Sequence, residues 1–172
     1  MKTILLYFSD IHLTGNKPEN EGAVIKAFCE DVKLQLTNLQ YNDAYVLIGG
    51  DLVQAADDSK SYQSFYDKIL SKLITYGIPT EKMICVPGNH DCQRQWIIDN
   101  RETYAPVVNQ RYTEDRFDNM ISGVQNSVFV EKFANYKQFV ERHLPNSKHN
   151  LVGFPVEINE EWSLYCLNSA LT

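Results

Sequence analysis

Three short apolar runs each end on a polar cluster, and this repetition narrows the folds open to the chain. Residues 2–8 run into Asp10-Ile11-His12. Residues 44–48 run into Gly49-Gly50-Asp51. Residues 83–86 run into Pro87-Gly88-Asn89-His90-Asp91. The runs are short and rich in strand formers. The first has no clean alternation, so it reads as a strand buried on both faces, and the second as buried likewise.

Helical patterns separate the three runs. Residues 21–39 predict a helix with Asn20 as N-cap and Glu21 in the first turn. Its apolar stripe is Val24, Ala27, Phe28, Val32, Leu36 and Leu39. Residues 59–76 predict a second helix, with Tyr62, Phe65, Tyr66, Ile69, Leu70, Leu73 and Ile74 at helical spacing. Gly77 closes it in the C′ position and Pro79 follows. The order is therefore βαβαβ, which predicts an α/β fold with a parallel sheet and right-handed crossovers.

The second half is less periodic. Residues 92–126 read as an irregular insertion with short helical pieces. This segment carries Arg94, Trp96, Arg101, Tyr104, Arg111, Tyr112 and Arg116. It reads first as a solvated surface excursion, and alternatively as a lid over the site. A third helix is expected over 128–143, ended by Pro145. A hairpin is expected from 151–158 and 162–167 around Asn159-Glu160-Glu161.

Composition excludes some functions. A net charge of −6 argues against a broad nucleic-acid surface. It leaves a small phosphate-containing substrate open, because bound cations supply local positive charge. Cys29, Cys85, Cys92 and Cys166 form no CxxC pair and read as reduced, buried thiols, which suits the cytoplasm. The first apolar run is too short for a signal peptide, and no stretch is long and apolar enough to span a membrane.

Open α/β sheets bind ligands outside the carboxyl ends of their strands. All three polar clusters fall there, so Asp10, His12, Asp51, Asn89, His90 and Asp91 are expected to converge. Any one cluster alone would be an ordinary turn. Three after three successive strands point to a metal site. Carboxylate, imidazole and amide oxygens suit hard or borderline divalent ions. One Asp can bridge two such ions, and ions about 3.5–4 Å apart can activate water and stabilise a transferring phosphoryl group.

These blocks, in this order and at this spacing, resemble the calcineurin-like metallophosphoesterase family, whose pattern runs DxH, GDxx(D/E/N), GNH(D/E), His, GHxH. The resemblance covers residues 2 to about 170. It implies one domain over 1–172 with the α/β/β/α sandwich of that family, of which this chain supplies the βαβαβ half, incomplete at its C-terminus. It implies two divalent metal ions, Mn²⁺ first, with Fe, Zn or Ni as alternatives. By the same resemblance Asp10 and His12 bind the first metal, Asp51 bridges, and Asn89 binds the second. His90 contacts the phosphate and protonates the leaving oxygen, and Asp91 orients His90. The nucleophile would be a metal-bridging hydroxide.

The implied activity is hydrolysis of phosphomono- or phosphodiesters. The partner is a phosphoester substrate, whether small molecule, nucleotide or nucleic acid. The alternative is a non-catalytic module of the same family that binds a partner through this face. Two departures stand out. Gln54 occupies a position where the family often has an acidic residue or Asn. No GHxH occurs, and the last histidine is His149. A further C-terminal region of the same chain, carrying the later histidines, is therefore expected. His143 and His149 read as a helix end and a loop.

Overall fold

The computed structural model describes residues 2–14, 18–41, 43–102, 131–147 and 153–170. Three strands, β1 (Thr3–Phe8), β2 (Asp43–Ile48) and β3 (Met83–Cys85), form one parallel sheet in the order β1-β2-β3. The register pairs Thr3 with Asp43 and Phe8 with Ile48, and on the other side Ile48 with Cys85. All three strands therefore finish at one edge, and each finish is a polar cluster.

The connections are helical. α1 (Pro18–Asn38) joins β1 to β2. It begins at Pro18, which fits the first turn because proline lacks only an N–H that would be unpaired there. Asn20 thus lies inside the helix instead of capping it. The next helix is α2 (Ser59–Phe65), a single π-helical turn (Tyr66–Leu70) and α3 (Ser71–Thr75) in succession. Asp58 caps α2 by accepting the Lys60 N–H at 2.8 Å. At the far end Gly77 takes φ +94°, the Gly77 N–H bonds the Ile74 carbonyl and the Ile78 N–H bonds Leu73. This paired closure is what a C′ glycine permits.

After β3 come α4 (Arg94–Asp99) and α5 (Ala134–His143). The expected helix over 128–143 begins at Ala134 as described, and its first residues lie outside the described set. So does most of the expected irregular segment 92–126. The hairpin is present as β4 (Gly153–Glu157) and β5 (Ser163–Leu167), antiparallel. Asn159 shapes its turn by accepting the Glu161 and Trp162 N–H groups.

The sheet lies between two layers. On one face Val46, Ile48 and Phe8 pack with Val32, Phe65, Ile69, Leu70, Leu73, Phe139 and Val140 of the helices. Each such side chain fully removed from water contributes about 1.5–3 kcal/mol before entropy is charged. On the other face Tyr45, Leu47, Ile84 and Val86 meet Phe154, Val156 and Ile158 of the hairpin. The Tyr45 hydroxyl donates to the Ile158 carbonyl at 3.0 Å, fixing the hairpin to β2.

β1 departs from the reading of a strand buried on both faces. Leu5 is 44% exposed and Tyr7 65%. Among the described residues β1 pairs with β2 alone, and the hairpin packs over β2 and β3. β2 alternates buried positions on the helix face with half-buried positions on the hairpin face. No described helix is long and apolar enough to cross a membrane.

Candidate metal centre

β1 and β2 do not stop pairing where their polar clusters begin. The Asp10 N–H bonds the Gly50 carbonyl at 3.1 Å, the His12 N–H bonds Asp51 at 2.9 Å, and the Leu13 N–H bonds Leu52 at 3.1 Å. Leu13 and Val53 then form a further parallel bridge. The two loops therefore stay in register with each other. Within this ladder Asp10, His12 and Asp51 hold φ of 58°, 49° and 53°. Left-handed backbone costs an L-residue about 1–2 kcal/mol. Three such residues in two adjoining loops mark a place where geometry outweighs local stability.

Glycine lets these loops approach the third. Gly50 has φ +99°, and a Cβ there would run into the backbone of Gly88. A Cβ on Gly88 would in turn strike the Asp51 carboxylate. The Gly-Gly-Asp and Gly-Asn-His-Asp loops are thus in backbone contact, which only glycine at these two positions allows.

Asp51, His12 and His90 meet at the centre. Each offers one ligating atom, and the three atoms lie within 4.8 Å of one another. His12 Nε2 is 3.8 Å from Asp51 Oδ2 and 3.8 Å from Asp10 Oδ1. That is too long for a hydrogen bond, yet within twice the roughly 2.1 Å distance from a divalent metal to its ligand atoms. The other nitrogen of His12, Nδ1, is buried without a hydrogen-bond partner. A buried imidazole left unpaired this way is costly in an apo protein. The donor set of carboxylate and imidazole is the kind that divalent metals take, so the residues fit a metal.

Asp10 flanks this group with an exposed carboxylate, which accepts the Ser9 hydroxyl at 2.5 Å. Asn89 is exposed at the start of a 3₁₀ turn, Asn89–Asp91. The His90 ring stands edge-on to His12, centroids 4.4 Å apart. His90 therefore sits closer to the ligand cluster than its expected role as proton donor alone required.

Asp91, expected to orient His90, makes its hydrogen bonds to other groups. It is fully buried. Oδ2 accepts the N–H groups of Asp51 at 2.8 Å, Gly88 at 2.9 Å and Leu52 at 3.4 Å. Oδ1 accepts the Tyr62 hydroxyl at 3.0 Å. Burial pushes its carboxyl up to about 6 against the pull of those four donors. The same buried pair pushes the Tyr62 phenol far above its ordinary value, burial first and the Asp91 charge second. The His90 ring meets the Gln54 carbonyl, 2.8 Å from Nδ1, and the backbone N–H of His90 donates to the Asp51 carboxylate at 2.8 Å.

Tyr62 and the Gln54 carbonyl are parts of the site that the sequence reading missed. Tyr62 sits on an apolar helical stripe, and its hydroxyl was the one sign of a second role. A backbone carbonyl leaves no sign in a sequence. His143 is not one of the three clustered residues. Its ring lies tilted against Tyr66 and Phe139, and burial lowers its pKa. His149 lies outside the described residues. The four cysteines are unpaired thiols, with Cys29, Cys85 and Cys92 buried and Cys166 half-buried.

Compared with models of known protein families, residues 4–164 match the family described as calcineurin-like phosphoesterase. The chain belongs to that family. A search of curated proteins found no match.

Proposed function

For this calcineurin-like phosphoesterase we propose metal-dependent hydrolysis of phosphomono- or phosphodiester bonds. The observation that carries it is the meeting of His12, Asp51 and His90 within 4.8 Å at the carboxyl edge of a parallel sheet. In this reading Asp10, His12, Asp51 and Asn89 would hold two divalent ions, Mn²⁺ first. When bound, such ions supply Lewis-acid charge and an activated water to the phosphoryl group.

The chain's own residues do the rest. Asp51 is placed from two sides, by Asp91 on its backbone and by the His90 N–H on its side chain. His90 presents Nδ1 to the Gln54 carbonyl. With the Nδ1 hydrogen held by that carbonyl, Nε2 is the ring nitrogen left for proton exchange, and it gives a proton to the departing oxygen from the doubly protonated ring. Asp91 touches neither substrate nor ring and acts as a positioning residue. Unpaired thiols, three of them buried, support a reducing, cytoplasmic setting as part of the same proposal.

The test is turnover of nitrophenyl phosphate and bis(nitrophenyl) phosphate by the complete protein with Mn²⁺. Activity on at least one, abolished by Asp51→Ala, is expected. Turnover that survives Asp51→Ala rejects the site.

A further inference from the structure

Arg94 opens α4, and its Nη2 lies 3.1 Å from His90 Nδ1. The same ring nitrogen lies 2.8 Å from the Gln54 carbonyl oxygen. A ring nitrogen either carries a hydrogen or offers a lone pair. The carbonyl can only accept, so it requires the N–H. The guanidinium can only donate, so it requires the lone pair. One nitrogen cannot serve both. The carbonyl contact is the shorter, which leaves the Arg94 N–H beside the ring without an acceptor. Among the described residues no carboxylate lies within ion-pair distance of Arg94.

The backbone around Arg94 is anchored on both sides. The Gln93 N–H bonds the Lys132 carbonyl at 2.7 Å, and the Gln95 N–H bonds the Asp57 carboxylate at 2.9 Å. An exposed guanidinium is thus carried at a fixed point on the rim of the metal cluster, with donors free. Its planar fork matches two oxygens of a phosphoryl group.

We propose that Arg94 binds the non-bridging oxygens of the substrate's phosphoryl group, a role that rests on the phosphoesterase reading above. Arg94 then sets affinity for the anionic group, and His90 keeps its tautomer through Gln54.

Arg94→Gln and Arg94→Lys test this, each checked for native circular dichroism. With Mn²⁺ present, orthophosphate binding is followed by calorimetry and turnover of nitrophenyl phosphate by its kinetics. Loss of a charge-assisted fork should weaken phosphate binding about tenfold or more in Arg94→Gln, with KM rising in parallel and kcat little changed. Arg94→Lys should recover part of the affinity. Unchanged phosphate binding in Arg94→Gln overturns the assignment, as does a fall in kcat at constant KM, which would make Arg94 a partner of His90 only. Wild-type protein that binds no phosphate also overturns it. If Asp51→Ala keeps its turnover, the phosphoesterase site itself is wrong, which is a separate result.

Discussion

The Asp91 carboxylate accepts the backbone N–H of Asp51 at 2.8 Å, forty residues away in sequence. Asp91 follows β3 and Asp51 follows β2. One buried carboxylate therefore ties the loop that carries the central metal-ligand candidate to the loop that carries His90. Its remaining acceptor sites take Gly88, Leu52 and the Tyr62 hydroxyl.

Asp91→Ala removes the acceptor for three N–H groups and one hydroxyl in a site closed to water. Buried donors left unpaired cost about 1–3 kcal/mol each, with partial relief by relaxation. A loss of roughly 3 kcal/mol or more is expected in urea unfolding. A loss below about 1 kcal/mol would show that these bonds are not maintained in solution.

The pH dependence has a defined sign. In the metal-free protein burial raises the Asp91 carboxyl from 3.8 to about 6. Between those values the folded state keeps a proton that the unfolded chain has lost. The stabilisation from Asp91 is thus complete below about pH 4 and is lost as pH rises through about 6. Measured in EDTA, the stability of wild type minus that of Asp91→Asn should fall by about 3 kcal/mol across this window. A flat or rising difference contradicts the assignment.

Gly50→Ala combines a φ of +99° with a Cβ driven into the Gly88 backbone. Neither neighbour is a flexible side-chain end that can move aside cheaply. Destabilisation of about 2 kcal/mol or more is expected, together with weakened Mn²⁺ binding, because Asp51 is the next residue. A Gly50→Ala protein with wild-type stability and metal affinity would show that the loops are not packed this closely.

Tyr62→Phe keeps the ring stacked on Phe139, 5.3 Å between centroids, and deletes the hydroxyl that Asp91 accepts. A cost of about 1–2 kcal/mol is expected in urea unfolding. Double-mutant analysis with Asp91→Ala should show strong coupling, since the second change has little left to break. Additive effects would separate the two residues.

The parallel order, the second helix with its Gly77 closure, the hairpin and the meeting of DxH with Gly-Gly-Asp are legible in the sequence. Each follows from local pattern plus the rule that ligands gather at the strands' carboxyl edge. The exposure of Leu5 and Tyr7 is not legible, because an apolar edge strand and a doubly buried one read alike. The Asp91 partners are not legible either. An Asp after Gly-Asn-His gives no hint whether its carboxylate faces the neighbouring ring or a backbone forty residues back. Asn20 was a sound capping residue at the wrong boundary, since Pro18 starts the helix first. Arg94 lies in a stretch without periodicity, and nothing in its local sequence marks the contact it makes with His90.

Mn²⁺ binding tests the central claim most directly, measured by calorimetry on the metal-stripped protein. The strand-end cluster predicts binding by wild type and its loss in both Asp51→Ala and His12→Ala, with folding retained. Wild-type protein that takes up no Mn²⁺, Fe²⁺, Zn²⁺ or Ni²⁺, or an Asp51→Ala protein that binds as wild type does, would contradict it.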